Sequence, residues 1–279
     1  MRGNLKNFCV YTNTHKDKNL EMTNRVCRFL KEKGMQYSVH TKETGEPLPD
    51  VDCILVLGGD GTVLKAAREM ESRKRVPLLG INLGTLGYLT EVEPAFVEEA
   101  LTQLLNGDYE LESRMMLNGT IFREDGSKQE EWALNDIVIG RSGIQQVMNF
   151  NVYVNRRLLH KYLADGIIVT TPTGSTGYNL SAGGPIVEPG ARLLVLTPIC
   201  PHTMNQRSVV LSPEDEVVIE VPAGREGQVQ CAAVNFDGYA VELKTGDTVR
   251  IVRSERTTEF VKLSKAGFLE ILHKKMSDT

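Results

Sequence analysis

No stretch of the 279 residues approaches the roughly 20 consecutive apolar residues that a membrane-spanning helix requires, so no membrane span is expected. The first ten residues, Met1 to Val10, lack the apolar core of about 7–15 residues that marks a signal peptide, so a cytoplasmic location is expected. Basic residues are not in excess: 32 Lys and Arg stand against 36 Asp and Glu, a formal charge of −4. That balance argues against a dedicated binder of nucleic acid or membrane surface, whose affinity depends on basic patches. Cysteines are few, odd in number and far apart (Cys9, Cys27, Cys53, Cys200, Cys231), and read as buried, reduced thiols. The five histidines form no His-x-x-x-His pair, so neither a zinc site nor another tightly bound, protein-ligated metal is expected. Internal repeats, low-complexity tracts and long linkers are also missing.

What is present is an ordinary globular composition, 41% hydrophobic and 24% charged, in a chain long enough for two domains at roughly 100–200 residues each. Through about residue 108 the pattern alternates strand and helix. Asn7–Tyr11, Gln36–His40, Asp52–Leu57 and Val76–Asn82 read as strands. The run Cys53 to Leu57 is continuously apolar, as a strand buried on both faces should be. Asp17–Lys33, Val63–Ser72 and Pro94–Leu105 read as helices, with Gly34 and Asn106-Gly107 as stops. Such alternation predicts a parallel sheet with right-handed crossovers. From Tyr109 short strands take over, among them Gly119–Arg123, Trp132–Ile139, Phe150–Val154, Gly166–Thr171 and Gln230–Phe236. Glu124-Asp125-Gly126, Asp237-Gly238 and Thr245-Gly246-Asp247 read as turns between them. This predicts an all-β second domain. Leu263–Lys275 reads as a closing helix that packs back on the first domain.

Four segments carry chemistry. Gly58-Gly59-Asp60-Gly61-Thr62 follows the buried strand and precedes a helix, where open α/β sheets bind ligands. Its glycines let backbone approach a ligand, and the helix start offers free N–H groups to phosphate. It is neither a P-loop nor a dinucleotide fingerprint. Asp60 could accept a bond from a sugar hydroxyl, hold Mg²⁺ or take a proton, or it could cap the next helix. Asn82 to Leu89 forms either a second wall of that crevice, with Tyr88 on a base, or an ordinary loop with Tyr88 in the core. Asp165 to Pro185 holds a hydroxyl-rich loop, Thr171 to Thr176, suited to sugar or phosphate, or to local side-chain–backbone bonds. A short helix from Tyr178 to Ala182, ended by Gly183-Gly184, follows it. Asn135-Asp136 sits inside an otherwise apolar strand, so one of the two polar side chains faces something unusual, unless a bulge or strand end brings them to the surface.

In this order the segments resemble the NAD kinase family. Gly58–Thr62 resembles its Gly-Gly-Asp-Gly motif, Asn82–Leu89 the neighbouring glycine segment, and Asn135-Asp136 its Asn-Glu/Asp pair. Asp165–Pro185 resembles its long glycine- and threonine-rich motif, and Pro198 to Thr203 a further shared stretch. Gly-Gly-Asp-Gly also occurs in lipid kinases and phosphofructokinases; Asp165–Pro185 favours NAD kinases. The resemblance implies a Rossmann-like α/β domain over 1–108, with 258–279 returning to it, and a β-sandwich NAD-binding domain over 109–257. It implies transfer of the terminal phosphoryl group of ATP, or of polyphosphate, to the 2′-hydroxyl of the adenosine ribose of NAD, giving NADP. Mg²⁺, or another divalent cation, accompanies ATP.

Carried over by position, Asp60 is the proton acceptor, Gly61 sits beside the reacting hydroxyl and Lys65 reaches phosphate. Asn135 and Asp136 hold adenosine. Asp165 and the run Thr176, Gly177, Tyr178, Asn179, Leu180 and Ser181 bind the dinucleotide, with Tyr178 on adenine. Tyr88 also belongs to the expected NAD site. Three further positions of that site depart from the pattern: Leu163 where relatives often carry a basic residue, Tyr239 where many carry glutamine, and Gln146 where a histidine occurs. A homo-oligomer, dimer or tetramer, is implied as well. The rivals are a diacylglycerol-type lipid kinase that shares Gly58–Thr62, and a dinucleotide sensor without catalysis.

The glycines add an expectation. Of 25, six fall within residues 58–87 and six within 166–190. They predict two glycine-rich edges, one per domain, facing each other across a dinucleotide.

Overall fold

The computed structural model describes residues 5–41, 50–69, 76–85, 87–142, 147–202, 207–224, 227–264 and 267–277. It divides into two units: Met1–Arg114 with Thr258–Thr279, and Met115–Thr257. The first unit begins β1 (Asn7–Thr12), α1 (Glu21–Glu32), β2 (Gln36–Thr41), β3 (Cys53–Gly58), α2 (Asp60–Glu69), β4 (Leu78–Asn82) and α3 (Val97–Asn106). The four strands are parallel in the order β2-β1-β3-β4. Every residue of β3 and β4 is buried, as their unbroken apolar runs require of strands covered on both faces. Helix α1 turns Val26, Cys27 and Leu30 into the core beside Phe8, Val10, Leu55 and Leu79. Pro94 opens a 3-10 turn ahead of α3, and Gly107 ends that helix in the left-handed conformation. Pairing of Thr12 with Leu57 and of Gly58 with Asn82 sets the carboxyl ends of β1, β3 and β4 side by side. The loops that leave them are therefore neighbours.

The second unit is built from β5 (Glu110–Phe122), β6 (Lys128–Ala133), β7 (Asp136–Arg141), β8 (Met148–Val154), β9 (Arg157–Ala164), β10 (Gly166–Thr170), the short α4 (Tyr178–Ser181), β11 (Leu194–Ile199), β12 (Val209–Leu211), β13 (Val217–Glu220), β14 (Cys231–Phe236), β15 (Tyr239–Lys244) and β16 (Thr248–Lys262). The first unit ends within β5 and resumes within β16. One antiparallel sheet runs β12-β11-β10-β7-β14-β15. In the other, β13 pairs antiparallel with β8 and with the start of β16, and β9 lies beyond β8. Burial alternates along β13 and β14, and Ile137, Ile139, Ile167 and Val169 of one sheet share a core with Phe150, Val152, Val217 and Ile219 of the other. The unit is a β-sandwich.

The end of β16 returns to the first unit and lies parallel to β4, Phe260 opposite Leu78. Glu91 holds its exit: it accepts the Leu263 and Ser264 N–H groups at 3.0 and 2.8 Å and pairs with Lys262. The closing helix, α5 (Phe268–Ser277), then packs on the first unit against Tyr88. The described helix begins at Phe268 and not at Leu263, whose N–H goes to Glu91.

Other expectations are corrected. Trp132–Ile139 is two strands, broken at Leu134-Asn135. Helix α2 starts at Asp60 rather than Val63. Strand β9 has no apolar pattern over its first five residues, which are exposed. Cys9, Cys27 and Cys53 are buried, but Cys231 is only half-buried and Cys200 is exposed. Burial pushes the Cys9 thiol up to about 11, against a smaller lowering by Ser38. Among the described residues no helix is long and apolar enough to cross a membrane.

Candidate active site

In the first unit the site is built where β3 and β4 end. The Leu83 N–H donates to the Gly58 carbonyl at 2.8 Å, so the two strand exits are tied together. Asp60, the first residue of α2, does not use its carboxylate on the amides of its own helix. Oδ2 accepts the Tyr88 N–H at 2.7 Å and Oδ1 accepts the Leu89 N–H at 3.0 Å. A carboxylate held by two consecutive amides is fixed in direction, and each such bond contributes about 1.5–3 kcal/mol. Gly87 makes the approach possible: a Cβ there would stand 1.9 Å from Asp60 Oδ1. Gly61 faces open space, with no atom within 4 Å of where a Cβ would stand.

Tyr88 meets Asp60 through its backbone. Its ring lies 6.1 Å from that of Phe268, and the Lys275 ammonium stands 4.0 Å over it. Burial and the charge of Asp60 push its phenol above the usual range. Lys65 is turned to Glu69, one turn along α2, at 3.3 Å. Leu86, Gly87's neighbour, and Gln146 lie outside the described residues.

In the second unit the break between β6 and β7 is explained by Asp237. Its carboxylate accepts the N–H groups of Leu134 at 2.6 Å, Asn135 at 3.0 Å and Asp136 at 3.1 Å. From the other side the Thr171 hydroxyl donates to the Leu134 carbonyl at 2.7 Å and the Thr170 hydroxyl to the Asn135 carbonyl at 2.9 Å. The segment is clamped, and the Asn135 and Asp136 side chains project from it beside Gly177. Asn135 Oδ1 is buried with no hydrogen-bond partner among the described residues. Asp136 is buried, and its carboxyl is pushed up to about 7, first by burial and then by the charge of Asp237.

A cavity of about 340 Å³ opens nearby, lined by Val138, Gly140, Arg141, Asp165, Tyr178 and Asn235 among others. Tyr178 stands at its edge, half exposed. Arg141 of β7 lies 3.7 Å from Asp165. A basic group thus reaches Asp165 from the neighbouring strand, although Leu163, half-buried in β9, supplies none. Tyr239 is exposed at the start of β15.

The hydroxyl-rich loop is mostly committed to its own structure. Thr171 and Ser175 are buried, and Ser175 exchanges two hydrogen bonds with the backbone of Val187. Asn179 is buried too. Its amide donates to the carbonyls of Ser175 and Pro185 and accepts the Thr197 hydroxyl. Thr176 and Gly177 are half-buried, while Leu180 and Ser181 are exposed. Among the described residues no cluster of three or more His, Cys, Asp or Glu is arranged to hold a metal ion.

Residues 41–109 match the ATP-NAD kinase N-terminal domain, and residues 134–263 the ATP-NAD kinase C-terminal domain. The chain belongs to the NAD kinase family. Within it, the NAD kinase of Agathobacter rectalis is 45% identical over 98% of this chain and 99% of its own length. That of Lachnospira eligens is 42% identical over 98% of this chain and 100% of its own. Among solved structures, yeast NADH kinase complexed with NADH matches with a TM-score of 0.91 at 21% identity, covering 99% of this chain and 88% of that one. An NAD kinase from Archaeoglobus fulgidus in complex with ATP matches with a TM-score of 0.80 at 26% identity, covering 98% and 99%.

Nothing local in the sequence marks the Asp237 clamp, the approach of Arg141 to Asp165 or the amides that hold Asp60; Asp237 reads there only as a turn residue.

Two measurements check this geometry. Gly87→Ala is expected to displace the Asp60 carboxylate and to lower kcat by about 100-fold, the scale of a 1 Å misplacement, with the fold retained by circular dichroism. For Asp136, the folded-state value lies above the unfolded one near 3.8. The folded chain therefore binds more protons, and the stability this contributes is present at low pH and lost as pH rises through about 7. Asp136→Asn should raise Tm more at pH 8 than at pH 5; a pH-independent difference refutes the shifted carboxyl.

Proposed function

We propose that the chain transfers the terminal phosphoryl group of ATP to the 2′-hydroxyl of the adenosine ribose of NAD, giving NADP and ADP. The observation that carries this is Asp60: a carboxylate in the Gly-Gly-Asp-Gly turn of an NAD kinase family member, aimed by two amides and free to accept a further donor. Asp60 receives the hydroxyl proton. The bond from the ribose oxygen to phosphorus forms as the bond from phosphorus to the β–γ bridging oxygen breaks, and that oxygen leaves with ADP. An aspartate is a weak base for a hydroxyl, so the proton moves late, as the new bond forms. Mg²⁺ enters with ATP as part of the substrate.

In the same proposal Asn135 and Asp136 bind adenosine and Tyr178 stacks on adenine. Asp165, with Arg141 beside it, Thr176, Gly177, Leu180, Ser181 and Tyr239 meet the rest of the dinucleotide. Asn179 holds this loop from within. Lys65, committed to Glu69, is not given the phosphate. A homo-oligomer and a cytoplasmic location complete the proposal.

Incubation with Mg²⁺, ATP and either NAD or diacylglycerol separates the readings: NADP is expected, and a phosphorylated lipid or no product sinks the proposal. Asp60→Asn should lower kcat by about 10²–10⁴-fold while NAD affinity stays within about twofold; an unchanged kcat removes its role. Tyr178→Ala should weaken NAD binding by about 10–100-fold, the range of one aromatic stack on a base, as read by titration calorimetry.

A further inference from the structure

We propose that Lys16 binds the phosphate chain of the donor and neutralises the group in transfer, an assignment that rests on the kinase activity proposed above. Lys16 lies in the loop that leaves β1, the third strand whose carboxyl end borders the two glycine-rich loops. That loop is clamped on both sides of the lysine. Before it, the Asn13 N–H donates to the Leu57 carbonyl at 3.0 Å and the Asn13 side-chain amide to the Thr62 hydroxyl at 3.1 Å. After it, the buried Asp17 accepts the N–H groups of Met22 and Thr23 at 2.9 and 2.8 Å and the Thr23 hydroxyl at 2.6 Å. The N–H groups of Lys16 and Asp17 both close on the Asn13 carbonyl at 3.0 Å.

From this anchored backbone the Lys16 ammonium reaches both loops. A Cβ at Gly59 would stand 2.7 Å from Lys16 Nζ, and one at Gly84 would stand 3.4 Å from it. The ammonium therefore lies beside the residue that precedes Asp60. A side chain at Gly59 would displace it. Among the described residues it has neither a carboxylate nor a hydrogen-bond acceptor. A lysine ammonium carries three donors, and one laid over bare glycine backbone with none of them used is suited to an arriving anion. Phosphoryl transfer depends on positioning and on neutralising charge spread over the γ-oxygens, which a cation at this place supplies.

The test compares Lys16→Gln with Lys16→Arg, and with Lys18→Gln as a control for loss of a nearby exposed charge. Lys16→Gln should lower kcat/KM for ATP by about 10–100-fold, the equivalent of one charged hydrogen bond. KM for NAD should stay within about twofold, Lys16→Arg should recover part of the loss, and Lys18→Gln should match the unmodified chain. Wild-type kinetics in Lys16→Gln overturn the proposal, as does an equal loss in Lys18→Gln. Affinity for tripolyphosphate, measured by calorimetry without NAD, stands apart from turnover. If the unmodified chain forms no NADP, the kinase reading fails. Weaker tripolyphosphate binding in Lys16→Gln then still supports the anion site, and unchanged binding overturns it.

Discussion

The bond pair between the Asp60 carboxylate and the amides of Tyr88 and Leu89 is the constraint on which the first unit's site depends. It needs β3 and β4 as parallel neighbours, because only then do the two loops leave at the same edge. It needs a residue without a side chain at position 87. It also ties α5 to the chemistry, since the residue whose amide holds Asp60 is the one whose ring rests against Phe268 and Lys275. A carboxylate has roughly four acceptor positions, and two amides use two of them. The remaining positions can take a hydroxyl hydrogen without loosening the group, which is what an acceptor in a transfer step requires.

The second unit uses the same device for another end. Asp237 gathers three consecutive amides and thereby breaks a strand, turning the Asn135 and Asp136 side chains out of the ladder. Asp136 is buried, and burial first, then the charge of Asp237, pushes its carboxyl up to about 7. The three aspartates thus stand in different surroundings: two hold backbone amides and the third is buried beside a like charge. Asp60 is aimed, Asp237 is structural, and Asp136 stays poised between its two protonation states near neutral pH.

Much of this was legible in the residues. The unbroken apolar run of β3 located the buried strand, and the glycines after it located the turn. Short strand-like runs and turn signals separated the two units' architectures. What escaped depends on partners far along the chain. Nothing local to Asp60 names Tyr88 and Leu89, and nothing in Asp237-Gly238 distinguishes a hairpin turn from a clamp on residues a hundred positions earlier. The hydroxyls of Thr171 to Thr176 leave both ligand binding and local bonding open in the sequence, because their type is visible there and their burial is not. Strand β9 was missed because its first five side chains face solvent and carry no apolar alternation.

Lys16 extends the same rule to a third strand. Carboxyl strand ends in parallel sheets collect ligand groups. Glycines mark the ends of β3 and β4, while the run after β1 carries no such mark. The family resemblance instead puts a cation for the phosphate on α2 itself, at Lys65. At 100° per residue, five residues past Asp60 leaves a side chain about 140° round the helix, away from the turn. There it meets Glu69, and the pair is satisfied on the helix surface. With Lys65 turned to Glu69, the cation proposed for the phosphate comes from another segment. The strand order makes β1 the neighbour of β3, and the loop between Asn13 and Asp17 supplies it.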